Sequence, residues 1–195
     1  MNTLTIDLLR HGEARGGQRF RGWREDPLTD DGWNQMYKAL PARRPWGRII
    51  SSPLKRCSDF TRKLSQTSHI PAQMENDLKE LHFGDWEGHT PTELLHSDAE
   101  RVQAFWDDPL NNTPPNGESL GVFRMRVLGV WNRLMEEDEG RFLLITHGGV
   151  IRVIIAEVLG MPAENLFRID VPHACLSRIM VQDGIPRLAF HCRTQ

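Results

Sequence analysis

The sequence lacks the features that mark membrane, secreted and nucleic-acid-binding proteins. No apolar run approaches the roughly 20 residues that a bilayer-spanning helix needs. We expect no secretion signal, because the amino terminus enters an apolar strand pattern at once. Charge of neither sign dominates, since 24 Lys and Arg stand against 26 Asp and Glu, so global charge favours neither nucleic acid nor an anionic membrane. We therefore expect a cytoplasmic protein, monomeric or homodimeric, that acts on a small molecule.

Motifs for metals and for nucleoside triphosphates are also missing. The sequence has no His-Glu-x-x-His or Cys-x-x-Cys spacing. Three histidines recur every seven residues, but Gly84, Gly88 and Pro91 interrupt any single helix that could align them. These histidines are His82, His89 and His96. The glycines after the first strand are not followed by the Gly-Lys-Ser/Thr of a Walker loop, and we expect neither a metal nor another cofactor.

Cysteine is scarce. Cys57, Cys175 and Cys192 are odd in number and far apart in the sequence. This usage does not suggest a disulfide framework, which small secreted domains build from an even number of cysteines. The sequence predicts free thiols in a reducing compartment.

Apolar runs that are typical of strands alternate with helical patterns along the 195 residues. This alternation predicts a three-layer α/β/α sandwich with a mainly parallel sheet and an antiparallel edge strand. The length suits a single domain, residues 1–195, that buries about 70% of its unfolded surface. The predicted strands cover residues 4–9, 47–50, 73–76, 142–146, 176–181 and 187–191, and the predicted helices cover 30–40, 53–65, 91–110, 119–137, 150–160 and 163–167. The Asp183-Gly184 pair predicts a hairpin turn between the last two strands.

Basic side chains follow three of the predicted strands. Arg10 and His11 end the first strand, Arg56 begins the helix after the second, and His147 ends the strand that starts at residue 142. Ligands of open α/β sheets bind beyond the carboxyl ends of the strands. A single histidine at a strand end is more often structural, and Arg56 alone could be a solvated cation. The joint occurrence of the four residues predicts an anion site.

The residue types suit a phosphoryl group. An Arg guanidinium offers a planar fork of donors that meets two phosphate oxygens at once, which Lys does not. A neutral imidazole can attack phosphorus and so divide hydrolysis into two easier displacements. These arguments leave open which of His11 and His147 is the nucleophile.

Several motifs resemble the histidine phosphatase (phosphoglycerate mutase-like) superfamily. They occur in that family's order and spacing from residue 4 to about residue 190: Arg10-His11-Gly12-Glu13, Ser51-Ser52-Pro53-Leu54-Lys55-Arg56, Glu80, Phe83-Gly84-Asp85-Trp86-Glu87-Gly88 and Thr146-His147-Gly148-Gly149. The stretches around Glu80, Pro115-Asn116-Gly117-Glu118-Ser119 and Leu159-Gly160-Met161-Pro162 most resemble α-ribazole phosphatases. The resemblance implies a phosphomonoester hydrolase that works without a metal.

The resemblance also assigns roles within the anion site. His11 matches the residue that is phosphorylated, and Arg10, Arg56 and His147 match the phosphate-binding residues. Glu80 matches the general acid that protonates the leaving alcohol and then, as a carboxylate, activates water. Two other carboxylates are alternatives for that acid if the motif match misleads: Glu13 and Glu87.

The substrate is less well defined by the sequence. The resemblance implies α-ribazole 5'-phosphate, an intermediate of cobalamin nucleotide-loop assembly; a broad-specificity sugar phosphatase, a mutase-like enzyme and a non-catalytic phosphate-binding module are alternatives. We expect residues 101–118 and a few single side chains to contact the leaving group. These are Arg19, Phe83, Trp86 and His173. Trp86 could equally be a core residue, because large aromatic side chains are usually well buried.

Two positions depart from the family's pattern. Many members carry Thr after the first motif's Glu and Asn three positions beyond it, where this chain has Ala14 and Gly17. One side-chain donor to phosphate is therefore missing. We expect the departure to alter the geometry of phosphate binding more than the reaction.

Overall fold

The computed structural model describes residues 3–137 and 139–193. These residues form six strands and six α-helices, with shorter 3-10 helices between them. The strands are β1 (Thr3–Arg10), β2 (Arg48–Ser51), β3 (Ala72–Met74), β4 (Gly140–Thr146), β5 (Leu176–Gln182) and β6 (Ile185–Phe190). The helices are α1 (Asp30–Ala39), α2 (Lys55–Ser68), α3 (Pro91–Ser97), α4 (Ala99–Asp107), α5 (Leu120–Met135) and α6 (Gly148–Val158).

All six strands belong to one sheet, in the order β3-β2-β4-β1-β5-β6. The pairs β1 with β4, β2 with β4 and β2 with β3 are parallel. Strand β5 runs antiparallel to β1 and forms a hairpin with β6. The predicted fold class, mainly parallel with an antiparallel edge, is confirmed, and the antiparallel element is a two-stranded hairpin.

The central strands are buried on both faces, which explains their continuous apolar runs. Leu8 and Leu144 belong to the core beneath α5 and α6, whereas Leu9 and Ile145 belong to the core beneath α1 and α2. Successive residues of a strand point to opposite faces, so each strand contributes to both cores. Burying one such side chain contributes roughly 1.5–3 kcal/mol. The alternation builds the three layers.

Most predicted helix starts are confirmed by their caps. The Thr29 hydroxyl accepts a hydrogen bond from the Gly32 amide at 2.9 Å at the start of α1, and Ser119 caps α5 in the same way. The predicted helix over residues 53–65 is displaced toward the carboxyl terminus, because Leu54 is extended and α2 continues to Ser68, which is followed by His69 in a left-handed conformation. Such a residue ends a helix.

The prediction of free thiols is wrong for two of the three cysteines. Cys175 and Cys192 form a disulfide, and only Cys57 is a free, buried thiol. The two bonded residues are 17 apart in sequence, and they lie at the open end of the β5–β6 hairpin, beyond a register shift between Arg178 and Ile179. Distance along the chain therefore gave the wrong answer, because the hairpin brings its two distant ends together.

None of the helices in the described ranges is long and apolar enough to cross a membrane. The cytoplasmic location and the monomeric or dimeric state stay predictions, as does the single domain. Residues 1, 2, 138, 194 and 195 of that predicted domain lie outside the described residues.

Candidate active site

Two cavities lie at the carboxyl ends of β1, β2 and β4. The smaller has a volume of about 170 Å³, and we call it the phosphate pocket. It is lined by Arg10, His11, Arg19, Phe20, Arg21, Gly22, Arg56, Glu80 and Phe83. The larger, the wide cavity, measures about 520 Å³ and shares four residues with the first: Arg10, Arg19, Phe20 and Arg21. The predicted residues Arg10, His11, Arg56 and Glu80 therefore meet in one pocket.

His11 is held at the end of β1 with one ring nitrogen free. Its Nδ1 lies 2.7 Å from the Gly12 carbonyl oxygen. A carbonyl only accepts, so Nδ1 carries the proton and Nε2 keeps its lone pair. Burial, followed by the nearby charges of Arg56 and Arg10, lowers the pKa of His11 well below its usual value of 6.5. The ring is therefore neutral at physiological pH, as a nitrogen nucleophile must be.

His147 lies behind the phosphate pocket and is not among its lining residues. Arg56 donates from Nε to its Nδ1 at 3.2 Å, which places the ring proton on Nε2, where the Ser52 hydroxyl oxygen lies 2.7 Å away. Its ring centroid is 5.3 Å from that of His11. Burial and then Arg56 lower the pKa of His147 well below 6.5. The structure thus brings His147 close to His11, and the contact of His147 with phosphate stays a prediction.

Arg56 is buried with an incomplete set of partners. Besides the contact with His147, it donates from Nη1 to the Arg24 carbonyl at 2.8 Å and from Nη2 to the Gly22 carbonyl at 2.7 Å. A guanidinium has five N–H donors, so these bonds leave two. No carboxylate in the described parts of the chain lies within ion-pair distance of Arg56. Neutral carbonyl groups hold this buried cation, which favours an incoming anion.

Arg10 shows the same imbalance. Its Nη1 donates to the Val171 carbonyl, but its buried Nε has no hydrogen-bond partner among the residues that the structure describes. Burial lowers the pKa of Arg10 to about 10, a value that still leaves the group charged at neutral pH. An unpaired buried N–H is costly, and a phosphate oxygen in the pocket would satisfy it.

Glu80 faces the phosphate pocket from the loop before a short 3-10 helix. Its carboxylate accepts from the Leu81 amide at 3.0 Å and from the Gly149 amide, in the first turn of α6, at 3.1 Å. A Cβ at position 149 would lie 2.2 Å from Oε1 of Glu80, so only glycine permits this approach. The second glycine of the Gly148-Gly149 motif therefore has a steric reason.

The alternative acids differ in how far their carboxylates are occupied. Glu87 accepts from the backbone amides of Trp23, at 2.8 Å, and Phe83, at 3.1 Å, and it lines neither cavity. Glu13 lines the wide cavity. Geometry therefore favours Glu80 first, then Glu13, and gives Glu87 a structural contact with the loops around the pocket.

The residues predicted to contact the leaving group separate into two sets. Arg19 and His173 line the wide cavity, and Phe83 lines the phosphate pocket. Trp86 is only 2% exposed and packs against Phe105, so the interpretation as a core residue fits and the substrate contact does not.

The expectation for residues 101–118 is not met at the wide cavity. That cavity is lined instead by Arg10, by residues 13, 14 and 17–21, and by Pro91, Pro172 and His173. Phe105 turns into the core and contacts Phe83 edge to face, so the segment forms a layer behind the cavity wall.

Sequence reasoning missed two arginines. Arg21 lines both cavities and donates to the carbonyls of Ala14 and Arg15, each at 3.0 Å. Arg126 donates to the backbone carbonyl of Glu80 at 2.9 Å and forms an ion pair with Glu118 at 2.7 Å. Neither residue stands in a motif. The sequence held a signal for Arg126 alone, because Glu118 precedes α5 and Arg126 follows in the second turn of that helix, which predicts an ion pair.

The comparisons with known proteins agree with this geometry. The model of the Histidine phosphatase superfamily (branch 1) matches residues 6–193. The adenosylcobalamin/alpha-ribazole phosphatase of Salmonella typhimurium is 33% identical over 190 residues, which cover 95% of this chain and 94% of that protein. A glucosyl-3-phosphoglycerate phosphatase of Mycolicibacterium vanbaalenii is 31% identical over 178 residues, which cover 85% of this chain and 78% of that protein.

A solved structure gives the same result. The crystal structure of the alpha-ribazole phosphatase from Shigella flexneri matches with a TM-score of 0.89 at 28% identity, over 98% of this chain and 97% of that one. The likeness extends over both the sheet and the loops that form the two cavities.

Proposed function

Because the chain belongs to branch 1 of the histidine phosphatase superfamily, we propose that it hydrolyses α-ribazole 5'-phosphate through a phosphohistidine formed on His11. The chain is a phosphatase by family, and the substrate and the residue roles are the proposal. The observation that carries it is a neutral, oriented histidine in a pocket whose arginines have free donors.

In the first step, Nε2 of His11 attacks phosphorus as the bond from phosphorus to the ester oxygen breaks. Arg10 and Arg56 offer N–H groups to the outer phosphate oxygens, where negative charge is concentrated. Glu80, protonated when it receives the substrate, gives its proton to the departing alcohol. The products of this step are the free alcohol, a phosphohistidine and the Glu80 carboxylate.

In the second step, Glu80 takes a proton from water and the resulting hydroxide attacks phosphorus. The bond between phosphorus and Nε2 breaks, which returns His11 to its neutral form and releases phosphate. The hydrogen bond from Nδ1 to the Gly12 carbonyl keeps the ring in one orientation through both steps. For His147 to bind phosphate as the family pattern implies, its Nε2–H would turn from the Ser52 hydroxyl to a phosphate oxygen.

Arg21 lies beside the position where this chain lacks the phosphate donor of the family pattern. The missing Asn donor corresponds to Gly17, whose carbonyl accepts a hydrogen bond from Nη2 of Arg21. Burial lowers the pKa of Arg21 but leaves its guanidinium charged. We infer that Arg21 supplies the donor that an Asn side chain provides elsewhere in the family.

The wide cavity supports a bulky leaving group. Its volume of about 520 Å³ lies within the usual range for small-molecule sites, about 300–1,000 Å³. Phe20, Pro91 and Pro172 give it apolar surface, which suits a flat base such as dimethylbenzimidazole. A smaller alcohol would leave most of this surface uncovered.

One observation favours a second candidate. Arg19 and His173 line the wide cavity, and the buried Nε of Arg19 has no hydrogen-bond partner among the described residues. A leaving group with its own carboxylate, such as a glycosylated phosphoglycerate, would use that donor, whereas α-ribazole has no acidic group. A sugar-acid phosphate is therefore the alternative substrate.

Rapid mixing followed by intact-protein mass spectrometry, quenched at alkaline pH, tests the mechanism. We expect a transient phosphoryl adduct on the wild type that is absent from His11→Ala, and turnover that resists EDTA. Loss of activity with EDTA and its rescue by a divalent ion would contradict the histidine route.

Phosphate release from a matched panel tests the substrate. We expect kcat/KM for α-ribazole 5'-phosphate to exceed that for 3-phosphoglycerate and glucose phosphates by about 100-fold, the discrimination that a few lost contacts produce. The reverse order would establish the sugar-acid phosphatase. The absence of both an adduct and phosphate release would favour a non-catalytic binding module.

A further inference from the structure

Three side chains with metal-binding atoms converge at the end of the β5–β6 hairpin, outside the phosphate pocket. The donor atoms of Cys175, His191 and Cys192 all lie within 4.8 Å of one another. The Sγ of Cys192 is 3.3 Å from Nε2 of His191. The Asp170 carbonyl oxygen lies beside them, 2.6 Å from the same nitrogen and 3.8 Å from Cys192 Sγ.

The fold brings these atoms together from three segments. Cys175 stands immediately before β5, His191 and Cys192 follow β6, and Asp170 precedes the turn that leads into β5. The hairpin register fixes the approach of the two strand ends, since Gln182 pairs with Ile185 and Arg178 pairs with Phe190. The arrangement therefore depends on the sheet and not on the disulfide alone.

The donor set is that of a zinc site. Two thiolates and an imidazole are preferred zinc ligands, at about 2.3 Å and about 2.0–2.1 Å from the metal. The other ring nitrogen of His191, Nδ1, lies 2.8 Å from the Ser177 hydroxyl. A metal-binding histidine commonly has such a partner on its second nitrogen, which fixes the ring's orientation and tautomer.

We propose that the reduced protein binds one Zn²⁺ through Cys175 Sγ, Cys192 Sγ and His191 Nε2, and that formation of the Cys175–Cys192 disulfide excludes the metal. The fourth position faces the Asp170 carbonyl oxygen and is open to that atom or to water. On binding, Nε2 of His191 gives up its proton and Nδ1 carries the ring proton toward the Ser177 hydroxyl.

A small disulfide can serve as the oxidant that converts the zinc-bound dithiolate into the Cys175–Cys192 disulfide. One zinc-bound thiolate first attacks such a disulfide, so the small disulfide's sulfur–sulfur bond breaks and a mixed disulfide forms. The other cysteine thiolate then attacks the protein sulfur of this mixed disulfide, so the mixed bond breaks and the bond between Cys175 and Cys192 forms. Two small thiolates leave, and the Zn²⁺ is released without a change in its charge. Reduction by two small thiols reverses the reaction.

The site lies directly behind the wall of the active site. The Cys175 carbonyl accepts from the Arg10 amide at 3.0 Å, and the Ala174 amide donates to the His11 carbonyl at 3.1 Å. The ring centroid of His173 is 5.6 Å from that of His11. Both the disulfide and the bond to zinc hold Cys175 in place. The segment of residues 173–175 beside Arg10 and His11 therefore stays fixed in both redox states.

Cobalt binding to the full-length protein tests the proposal without reference to turnover. The protein is reduced with a phosphine, exchanged into metal-free buffer without oxygen, and titrated with Co²⁺. We expect one equivalent to produce thiolate-to-cobalt charge-transfer absorption and the visible bands of tetrahedral cobalt, both abolished by Zn²⁺. The disulfide form should show neither signal.

Variants assign the ligands. Cys192→Ser and His191→Gln should weaken zinc binding by more than about 100-fold, beyond the loss that a ligand's hydrogen-bonding partner causes, whereas the matched thiol control Cys57→Ala should keep both signals. Circular dichroism checks that each variant is folded. Cobalt bands that persist in Cys192→Ser, or that never form in the reduced wild type, would overturn the proposal.

Alkylation of the wild-type protein tests the zinc site without relying on variants that could fold poorly. In the reduced wild type, Zn²⁺ should slow alkylation of Cys175 and Cys192 by at least about tenfold, read by peptide mass spectrometry, because a metal-bound thiolate is a poorer nucleophile than a free one. Equal alkylation rates with and without Zn²⁺ would contradict the site.

Discussion

Two groups of buried charge lie three residues apart on β1, and they differ in how completely their charges are paired. Asp7 is fully buried and accepts two hydrogen bonds from Arg178, at 2.7 and 2.9 Å, and one from the Trp46 indole at 2.8 Å. Arg10, at the end of the strand, and the neighbouring Arg56 of α2 have carbonyl and imidazole partners and keep unpaired N–H donors.

The difference distinguishes a structural cluster from a binding site. A buried charge without a partner costs several kcal/mol, so a fold retains one only where something else will pair with it. The Asp7 cluster is complete without a ligand. The phosphate pocket keeps unpaired donors that an anion would satisfy, and burial, followed by the nearby arginine charges, lowers the pKa values of His11 and His147.

Removing the proposed nucleophile, His11, should produce the largest effect. It should change the activity of the phosphate pocket and leave the Asp7 cluster intact. We expect His11→Ala to lower kcat by more than about 10⁴-fold, the scale on which loss of a catalytic nucleophile acts, with phosphate release as the assay. The arginines remain, so inorganic phosphate should still bind with little change in Kd. Detectable turnover at a tenth of the wild-type rate would place the nucleophile elsewhere.

Breaking the complete cluster should affect stability instead of rate. Arg178→Ala leaves Asp7 buried without a cationic partner, and only the Trp46 indole then donates to it among the described side chains. The free energy of unfolding, measured by urea denaturation, should fall by about 3–5 kcal/mol. The exposed Arg187 of β6 provides the control, and Arg187→Ala should change stability by less than about 0.5 kcal/mol. A loss of kcat in Arg178→Ala, with stability unchanged, would contradict the distinction.

Replacing the proposed acid tests Glu80, the one carboxylate among the described residues that line the phosphate pocket. Glu80→Gln should lower kcat by about 100-fold or more for a poor leaving group, because a general acid contributes roughly 10² to 10⁴. An aryl phosphate, which needs no protonation to leave, should be less affected. Glu87→Gln is the matched control, and near wild-type rates for Glu80→Gln would transfer the role to Glu13.

Two adjacent glycines sharpen the argument about Glu80. A Cβ at Gly149 would lie 2.2 Å from the Glu80 carboxylate, whereas one at Gly148 would meet the flexible end of Arg152 at 3.2 Å. Gly149→Ala should therefore displace the acid and lower kcat about tenfold, since small misplacements of a catalytic group are costly. Gly148→Ala should stay within about twofold of wild type. Equal rates for the two variants would remove the steric argument.

The smallest effect concerns pH. The pKa values of His11 and His147 in the folded protein lie below 6.5, so the unfolded chain takes up protons first as the pH falls. Their contribution to stability is complete above pH 6.5 and declines below it, by up to about 1.4 kcal/mol per pH unit for each histidine. Urea denaturation between pH 7.5 and 5 measures the slope, which His147→Gln should reduce. A slope unchanged by that variant would contradict the assignment.

The sequence predicted the elements whose signals are local. Apolar runs and caps such as Thr29 and Ser119 define strands and helix starts within a few residues, and motif residues collected at strand ends because a parallel sheet aligns those ends. The disulfide was mispredicted because it depends on the pairing of β5 with β6, which includes a register shift between Arg178 and Ile179 that the Asp183-Gly184 turn does not encode.

The parts of the site that could not be predicted depend on contacts between distant segments. Nothing in the sequence around His147 indicates that Arg56 will occupy its Nδ1, and Arg21 lies in a loop without periodicity. The lining of the wide cavity was misplaced because Phe105 turned inward to contact Phe83 and Trp86. Which way a large aromatic side chain points is decided by packing, not by its neighbours in sequence.

The Glu80 loop has a consequence for any attempt to exchange segments between relatives. Arg126 of α5 donates to the carbonyls of Asp77, Lys79 and Glu80, at 2.8, 2.7 and 2.9 Å, and its remaining donors meet Glu118. The proposed acid is thus anchored by a helix that begins forty residues later in the sequence. If the loop were transplanted without Arg126, Glu80 would be present but would not be held in position. The smallest exchangeable unit therefore extends from the Glu80 loop to the second turn of α5.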